Sequence, residues 1–254
     1  METIWEQCQG QKQITALQET AWRLVEAQHI FSTRKLVDSA LEQEILEEMI
    51  EKVKPPFFGK AFAGLHYLLY TPFRYPPLKY GSRFGKSVER SLWYGSLKLT
   101  TAMAEKAFYQ FNFIRASDAY FGIIELHLTA FASVIKTEKG IFLTEKPFSE
   151  YASIISSKER YDASQTLGSK MRQSGIEAFC YYAAREKNQA INIAALTPTV
   201  FLNKKPIASS FQTWNCIINS HTVEFTRASA LDAERYTYPL DLFLVNGKLP
   251  FPAA

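Results

Sequence analysis

Apolar positions along the chain change their period several times, and each change marks an element. From Ile14 to Ala27 the residues Ile14, Leu17, Ala21, Leu24 and Val25 recur at helical spacing, with Gln, Glu and Arg between them; this predicts an amphipathic helix. A second helix is predicted from Ser39, because Glu42 stands three residues further on and the pair forms a capping-box pattern. Its apolar positions Leu41, Ile45, Met49 and Val53 run up to the stop at Pro55 and Pro56. Residues 1–56 therefore read as an N-terminal helical extension, residues 57–254 as the main domain, and the stretch Pro55-Pro56-Phe57-Phe58-Gly59 as their junction. Each helix of the extension has one apolar face to cover, either on the same core or on a partner, as a dimerising or partner-binding arm.

In the main domain, Pro72 to Pro77 predicts a loop, since its prolines remove backbone donors and restrict their neighbours. Ser91 to Ser96 predicts a short strand, and Thr101 to Phe111 a helix capped at Thr100 or Thr101. Phe121 to Val134 alternates only in part and suits either a strand or a buried helix. Ala163 to Ser174 predicts a helix closed by Gly175, and Glu177 to Ala184 and Ala190 to Leu196 predict two strands. The last third, with Phe201, Phe211, Trp214, Ile217, Ile218, Val223 and Phe225 between turn residues, predicts mostly strand. The mixture gives an α+β class, with helices flanking a largely antiparallel or mixed sheet.

Composition narrows the chemistry rather than the fold. The 254 residues are 47% hydrophobic and 21% charged with 11 Gly and 11 Pro, the profile of an ordinary folded chain. The net charge of +4 is spread along the sequence without a dense basic block, so charge alone gives little support for nucleic-acid binding. Three cysteines, Cys8, Cys180 and Cys216, have no CxxC spacing, which suits a reducing compartment and offers no metal site. The first residues lack a secretory pattern and no run approaches the ~20 apolar residues of a membrane span, so a cytoplasmic location is expected. Gly81-Ser-Arg-Phe-Gly85-Lys86-Ser87 has three residues between its glycines where a phosphate-cradling P-loop has four, and it follows a proline-rich stretch instead of a strand. No GxGxxG or GxSxG motif occurs, and the four histidines are isolated.

The informative block is residues 72–111: Pro-Phe-Arg74-Tyr-Pro-Pro, then Gly-Ser-Arg83-Phe-Gly, then Leu-Trp-Tyr94-Gly-Ser, then Thr-Ala-Met-Ala-Glu105-Lys-Ala. It resembles the RES domain family, in which a Gly-Arg-aromatic turn is followed by a tyrosine ending a strand and then by a helical glutamate. Arg83, Tyr94 and Glu105 stand at equal intervals of eleven. The likeness extends to Leu-Val-Asp-Ser (36–39) and Lys-Pro-Pro (54–56), as in the longer proteobacterial branch, and to Gly175-Ile-Glu-Ala-Phe-Cys-Tyr-Tyr-Ala-Ala-Arg185. There the family's signature serine, two residues before an arginine, is replaced by Ala183.

The resemblance implies a fold related to the ADP-ribosyltransferase toxins and cleavage of NAD between nicotinamide and ribose, by hydrolysis or phosphorolysis. It implies no resident cofactor: NAD is substrate, with inorganic phosphate as co-substrate in phosphorolysis. As partners it implies an Xre-like antitoxin, through which alone nucleic acid is reached; a homo-oligomer is left open. Catalytic roles fall to Glu105, Arg83 and Tyr94, and substrate contacts also to Arg74 and to the segment of Ala183 and Arg185; no metal ligand is expected. The residue types suit the reaction. Nicotinamide leaves NAD as a neutral base without a general acid, so the main task is to stabilise an oxocarbenium-like sugar, which a carboxylate does. The planar fork of Arg83 suits a pyrophosphate or ribose, and the ring of Tyr94 can stack on nicotinamide. With Ala183 in place of serine, a binding or regulatory protein of weak turnover is the alternative, and transfer of ADP-ribose to a macromolecule shares the same first step.

Overall fold

The computed structural model describes residues 2–27, 37–53, 60–116, 122–186, 188–227 and 234–251. Eight strands form one mixed sheet: β1 (Thr15–Glu26), β2 (Trp93–Ser96), β3 (Ile124–Phe142), β4 (Ala178–Tyr182), β5 (Ile191–Ala195), β6 (Gln212–Ile218), β7 (Thr222–Arg227) and β8 (Arg235–Pro239). The helices are α1 (Ile4–Gln7), α2 (Ala40–Val53), α3 (Tyr67–Arg74), α4 (Leu99–Arg115), α5 (Ala152–Ile155) and α6 (Asp162–Gln173). The expected α+β class with a mixed sheet and flanking helices is what the chain adopts.

The sheet is organised by β3. One edge of this long strand pairs antiparallel with β1 from Leu128 to Gly140. The other edge pairs antiparallel with β6 at Ile124–Ala130 and parallel with β4 at Gly140–Phe142. Because β1 also meets β2 at Trp22 and Ser96, and β2, β5 and β4 are joined in turn, the pairings close a circuit β1-β2-β5-β4-β3. The antiparallel β6, β7 and β8 extend from it as a meander.

The predicted helix over Ile14–Ala27 is corrected: residues 15–26 are the strand β1 and belong to the sheet. Leu17, Ala21 and Val25 are four apart, a spacing that satisfies the helical period and, being even, also keeps all three on one face of a strand. Leu17 and Ala21 are buried in the same apolar cluster, with Val25 packed against it, while Leu24 points into a different cluster on the other face. Pairing with β3 along nearly the whole strand decides between the two readings. The second predicted helix is present as α2, with the Ser39 hydroxyl accepting the Glu42 amide at 3.2 Å and the Glu42 carboxylate accepting the Ser39 amide at 3.2 Å. Pro55-Pro56-Phe57-Phe58-Gly59, the expected junction, lies outside the described residues.

The loop predicted over Pro72–Pro77 is also corrected in its first half, because α3 continues through Pro72 to Arg74 and only Tyr75 onward is irregular. Pro72 forfeits one helical hydrogen bond in a helix that ends two residues later, so the loss is small. The undecided stretch 121–134 is strand from Ile124 onward, forming the first half of β3. Helix α4 starts at Leu99 with Lys98 as its N-cap and no side-chain cap bond, so the expected cap at Thr100 or Thr101 is not used. Gly175 closes α6 as expected, with φ +76° and the Ile176 amide donating to Met171 O at 3.0 Å. Among the described residues no helix is long and apolar enough to cross a membrane.

Candidate active site

Arg83 sits at the tip of a two-residue turn. Ser82 and Gly85 face each other, with Ser82 N donating to Gly85 O at 2.7 Å and Gly85 N to Ser82 O at 3.3 Å. The next residue, Phe84, is fully buried and meets Phe179 and Tyr181 edge-to-face, each at 4.7 Å between ring centroids. One side of the turn is thus pinned in the core while Arg83 is held at the edge of a cavity. Gly81 opens the turn at φ +75°, where a Cβ would stand 2.2 Å from Gly85 O, so no other residue fits. From α6, the Gln165 side-chain amide donates to Tyr80 O and Ser82 O, both at 3.0 Å.

Tyr94, on β2, is tied to the same turn. Its hydroxyl lies 2.9 Å from Ser82 Oγ and accepts the Phe84 amide at 3.2 Å. Burial pushes this phenol above the ordinary tyrosine value, opposed by its bonds to Ser82 and Phe84 and by the Arg83 and Arg172 guanidiniums. Tyr94 therefore stays neutral at physiological pH and acts as a strut under the Arg83 turn, with its ring left as a wall of the cavity.

The Arg83 guanidinium is buried, with no carboxylate partner among the described residues. It donates to Ser157 O at 2.7 Å and to Ile155 O at 3.4 Å, and it lies 4.4 Å from the centroid of the Tyr161 ring. The Tyr161 hydroxyl in turn accepts from Arg185 Nη2 at 3.3 Å, and Arg185 also donates to Lys158 O at 2.8 Å while stacking 3.5 Å over Phe108. Arg185 thus stands behind Tyr161 and does not line the cavity.

Glu105 reaches the cavity from α4. Its Oε1 accepts from Asn192 Nδ2 at 2.8 Å, and Asn192 Oδ1 accepts from Ser96 Oγ at 2.7 Å. Ser96 and Asn192 are opposite each other in the β2–β5 ladder, so the sheet holds the amide and the amide aims the carboxylate. A second cation comes from β1: Arg23 donates to Tyr94 O at 2.8 Å and lies 5.3 Å from the Trp93 ring, and burial pushes it down to about 10. It remains charged at neutral pH.

These groups converge on a cavity of about 390 Å³, within the size range of small-molecule sites. Arg83, Tyr94 and Glu105, the three residues that the resemblance singled out, all line it. Arg74 does not: it ends α3 and is absent from the lining. Ala183 does not either; it is buried just past β4, its amide donating to Ala190 O at 2.7 Å. Missing from the sequence reading are Asn192, Ser96, Tyr161, Tyr181 and Arg23. Asn192 had a readable signal as the single polar residue within the apolar run Ile191–Ala195; Arg23 was obscured by the helical reading of its segment.

An α+β domain whose mixed sheet carries a cavity walled by a held carboxylate, two arginines and several tyrosines defines the class. The family model of the RES domain matches residues 60–219, well over half the chain, and the protein belongs to the RES domain family. No curated protein matches the sequence significantly. Two parts of the cavity lie outside the matched residues, the β1 segment Trp22-Arg23-Leu24 and Phe251 near the C-terminus.

Proposed function

We propose that the protein cleaves NAD at the bond between nicotinamide and ribose, by hydrolysis or phosphorolysis, and that it serves as the toxin of a toxin–antitoxin pair with an Xre-like partner. The observation that carries this reading is Glu105, a carboxylate held by Asn192 at 2.8 Å in a half-open cavity that it shares with Arg83 and Arg23, neither of which has a carboxylate partner among the described residues. A dinucleotide presents the complementary charges, a pyrophosphate for the arginines and a developing oxocarbenium for the carboxylate.

In this reading Arg83 and Arg23 hold the pyrophosphate, and Tyr94 and Tyr181 wall the nicotinamide ribose. As the C–N bond breaks, its electron pair leaves with nicotinamide, which departs neutral. Glu105 stabilises the positive charge that grows on the sugar, in a site where low dielectric strengthens the effect. An oxygen of water or phosphate then bonds to the anomeric carbon, and with water one proton is released to solvent.

The test is incubation of the purified protein with NAD, with and without phosphate, following free nicotinamide. Glu105→Ala is expected to lower the rate by roughly 10²–10³. Release no faster than in that variant ends the reading. Mass spectrometry of the products separates ADP-ribose, its 1-phosphate and an ADP-ribosylated macromolecule. The serine missing at position 183 favours weak turnover only if that position acts on substrate; Ser96 already supplies a hydroxyl to the Glu105 network.

A further inference from the structure

The cavity has a graded interior. Asn192 and Tyr181 are almost completely buried at its floor, whereas Tyr80 and Phe251 at its mouth are 48% and 50% exposed. Their rings meet edge-to-face, with centroids 6.2 Å apart and planes at 88°. Together they make an L-shaped aromatic corner in which a flat base laid on one ring meets the edge of the other, the arrangement that ring quadrupoles favour.

Both rings are placed by the fold rather than left to solvent. The Tyr80 backbone is fixed by Gln165, whose side-chain amide holds Tyr80 O and Ser82 O. Phe251 is delivered by a tight reversal: Val245 and Lys248 exchange backbone hydrogen bonds of 2.8 and 3.0 Å around Asn246 and Gly247, which have φ +50° and +74°. After the turn Leu249 packs on the cluster between α4 and the β6–β8 meander, and Pro250 is buried. Phe251 then emerges half-exposed against Tyr80. A side chain delivered by buried Pro250 and seated edge-to-face on Tyr80, yet half-exposed where it lines the cavity, is a preformed platform.

Resting on the NAD reading above, we infer that Tyr80 and Phe251 form the subsite for the adenine end of the dinucleotide, with Phe251 supplied by a segment beyond the matched family region. The reacting ribose must lie beside Glu105 at the floor. A dinucleotide so placed passes its pyrophosphate along Arg83 and Arg23 and presents its second base at the mouth. The charge at the corner is positive, with Lys79 Nζ 5.2 Å from the centroid of the Tyr80 ring, which suits a neutral base better than the cationic nicotinamide ring. Phe251 is thus a specificity residue that separates dinucleotides from mononucleotides.

The experiment uses full-length protein carrying Glu105→Gln, which keeps the bond from Asn192 but suppresses turnover, and measures calorimetric Kd for NAD and for nicotinamide mononucleotide, with and without Phe251→Ala. Phe251→Ala is expected to weaken NAD roughly tenfold, the size of one lost base–aromatic stack, and to leave the mononucleotide unchanged. Phe251→Trp is expected to restore NAD affinity. Equal weakening of both ligands, or an unchanged NAD Kd, overturns the adenine subsite while the NAD reading stands. Tighter NAD binding in Phe251→Ala overturns it too, marking the segment as a plug. Failure of the parent to bind either ligand removes the NAD reading and the subsite together. Since Phe251 is half-exposed, an unchanged melting temperature is expected to accompany its replacement.

Discussion

Asn192 Nδ2 donates to Glu105 Oε1 at 2.8 Å, and the same amide accepts from Ser96 Oγ through its oxygen. Both polar ends of Asn192 are used, one to fix the amide and the other to aim the carboxylate. Asn192→Ala leaves Glu105 in place but free to rotate, and it strips Ser96 of its acceptor. Nicotinamide release is expected to fall about tenfold, as for one hydrogen bond to a charged group. The NAD Kd of the variant in the Glu105→Gln background is expected to stay within about threefold, since Asn192 acts through Glu105 rather than on the anion. A loss confined to KM, with kcat intact, would remove the positioning role.

Tyr94→Phe isolates the strut from the wall. The ring remains, but Ser82 Oγ and the Phe84 amide lose their partner. A buried amide left without an acceptor costs about 1–3 kcal/mol, which chemical denaturation will register as a lower midpoint at unchanged slope. Arg83 keeps its bonds to Ser157 O and Ile155 O, so NAD cleavage is expected to survive with KM raised several-fold. If denaturation shows no loss of stability, the hydroxyl is not what holds the turn.

The strands and helices read most clearly where one period alone fits. α6 closes on Gly175, the one residue type that adopts φ +76° freely, and α2 starts on the Ser39–Glu42 box; these are local signals and they survive into the fold. β1 failed because residues 17, 21 and 25 satisfy both periods, and only the long pairing with β3 distinguishes them. The site divides in the same way. Arg83, Tyr94 and Glu105 were singled out by the resemblance of the 72–111 block to the RES family, and all three line one cavity. Asn192 and Phe251 come from distant segments, so their place beside Glu105 and Tyr80 depends on the β2–β5 ladder and on the Asn246-Gly247 reversal. Arg74 and Arg185 share the charge expected of ligand contacts but not the geometry.

Gly168 on α6 faces the backbone of the Arg83 turn. A Cβ there would stand 2.0 Å from Phe84 O and 2.8 Å from Phe84 C, and a carbonyl in a tight turn cannot step aside as a side chain can. Gly168→Ala is expected to destabilise by about 1–3 kcal/mol and, because Phe84 carries Arg83 beside it, to weaken NAD affinity as well. Gly175→Asn is the control: it has φ +76° but nothing within 4 Å of a Cβ, and asparagine tolerates that conformation. Its urea midpoint is expected to move little and its NAD affinity not at all. Equal effects of the two substitutions would show that contact with Phe84 is not what makes Gly168 special.

The buried thiols set the alkaline limit. Burial pushes Cys180 and Cys216 up to about 12, and Cys8 upward as well; nearby Glu19 and Glu145 add to the shift at Cys180, while Lys106 opposes it at Cys216. Burial also raises Tyr94 and Tyr181. A group whose folded value is raised binds its proton longer in the folded chain than in the unfolded one, so its contribution is whole below the unfolded value and is lost as pH rises through the folded value. Stability is therefore expected to be level up to about pH 7.5, to begin falling as unfolded thiols of pKa about 8.5 start to ionise, and to fall steadily above that value. Replacing Cys180 and Cys216 by alanine lowers stability at pH 7 by opening space in the core, yet it makes the decline between about pH 9 and 10 shallower. Urea midpoints of both proteins across that range decide the matter: a decline of equal steepness in the double variant would assign the alkaline limit to the tyrosines instead.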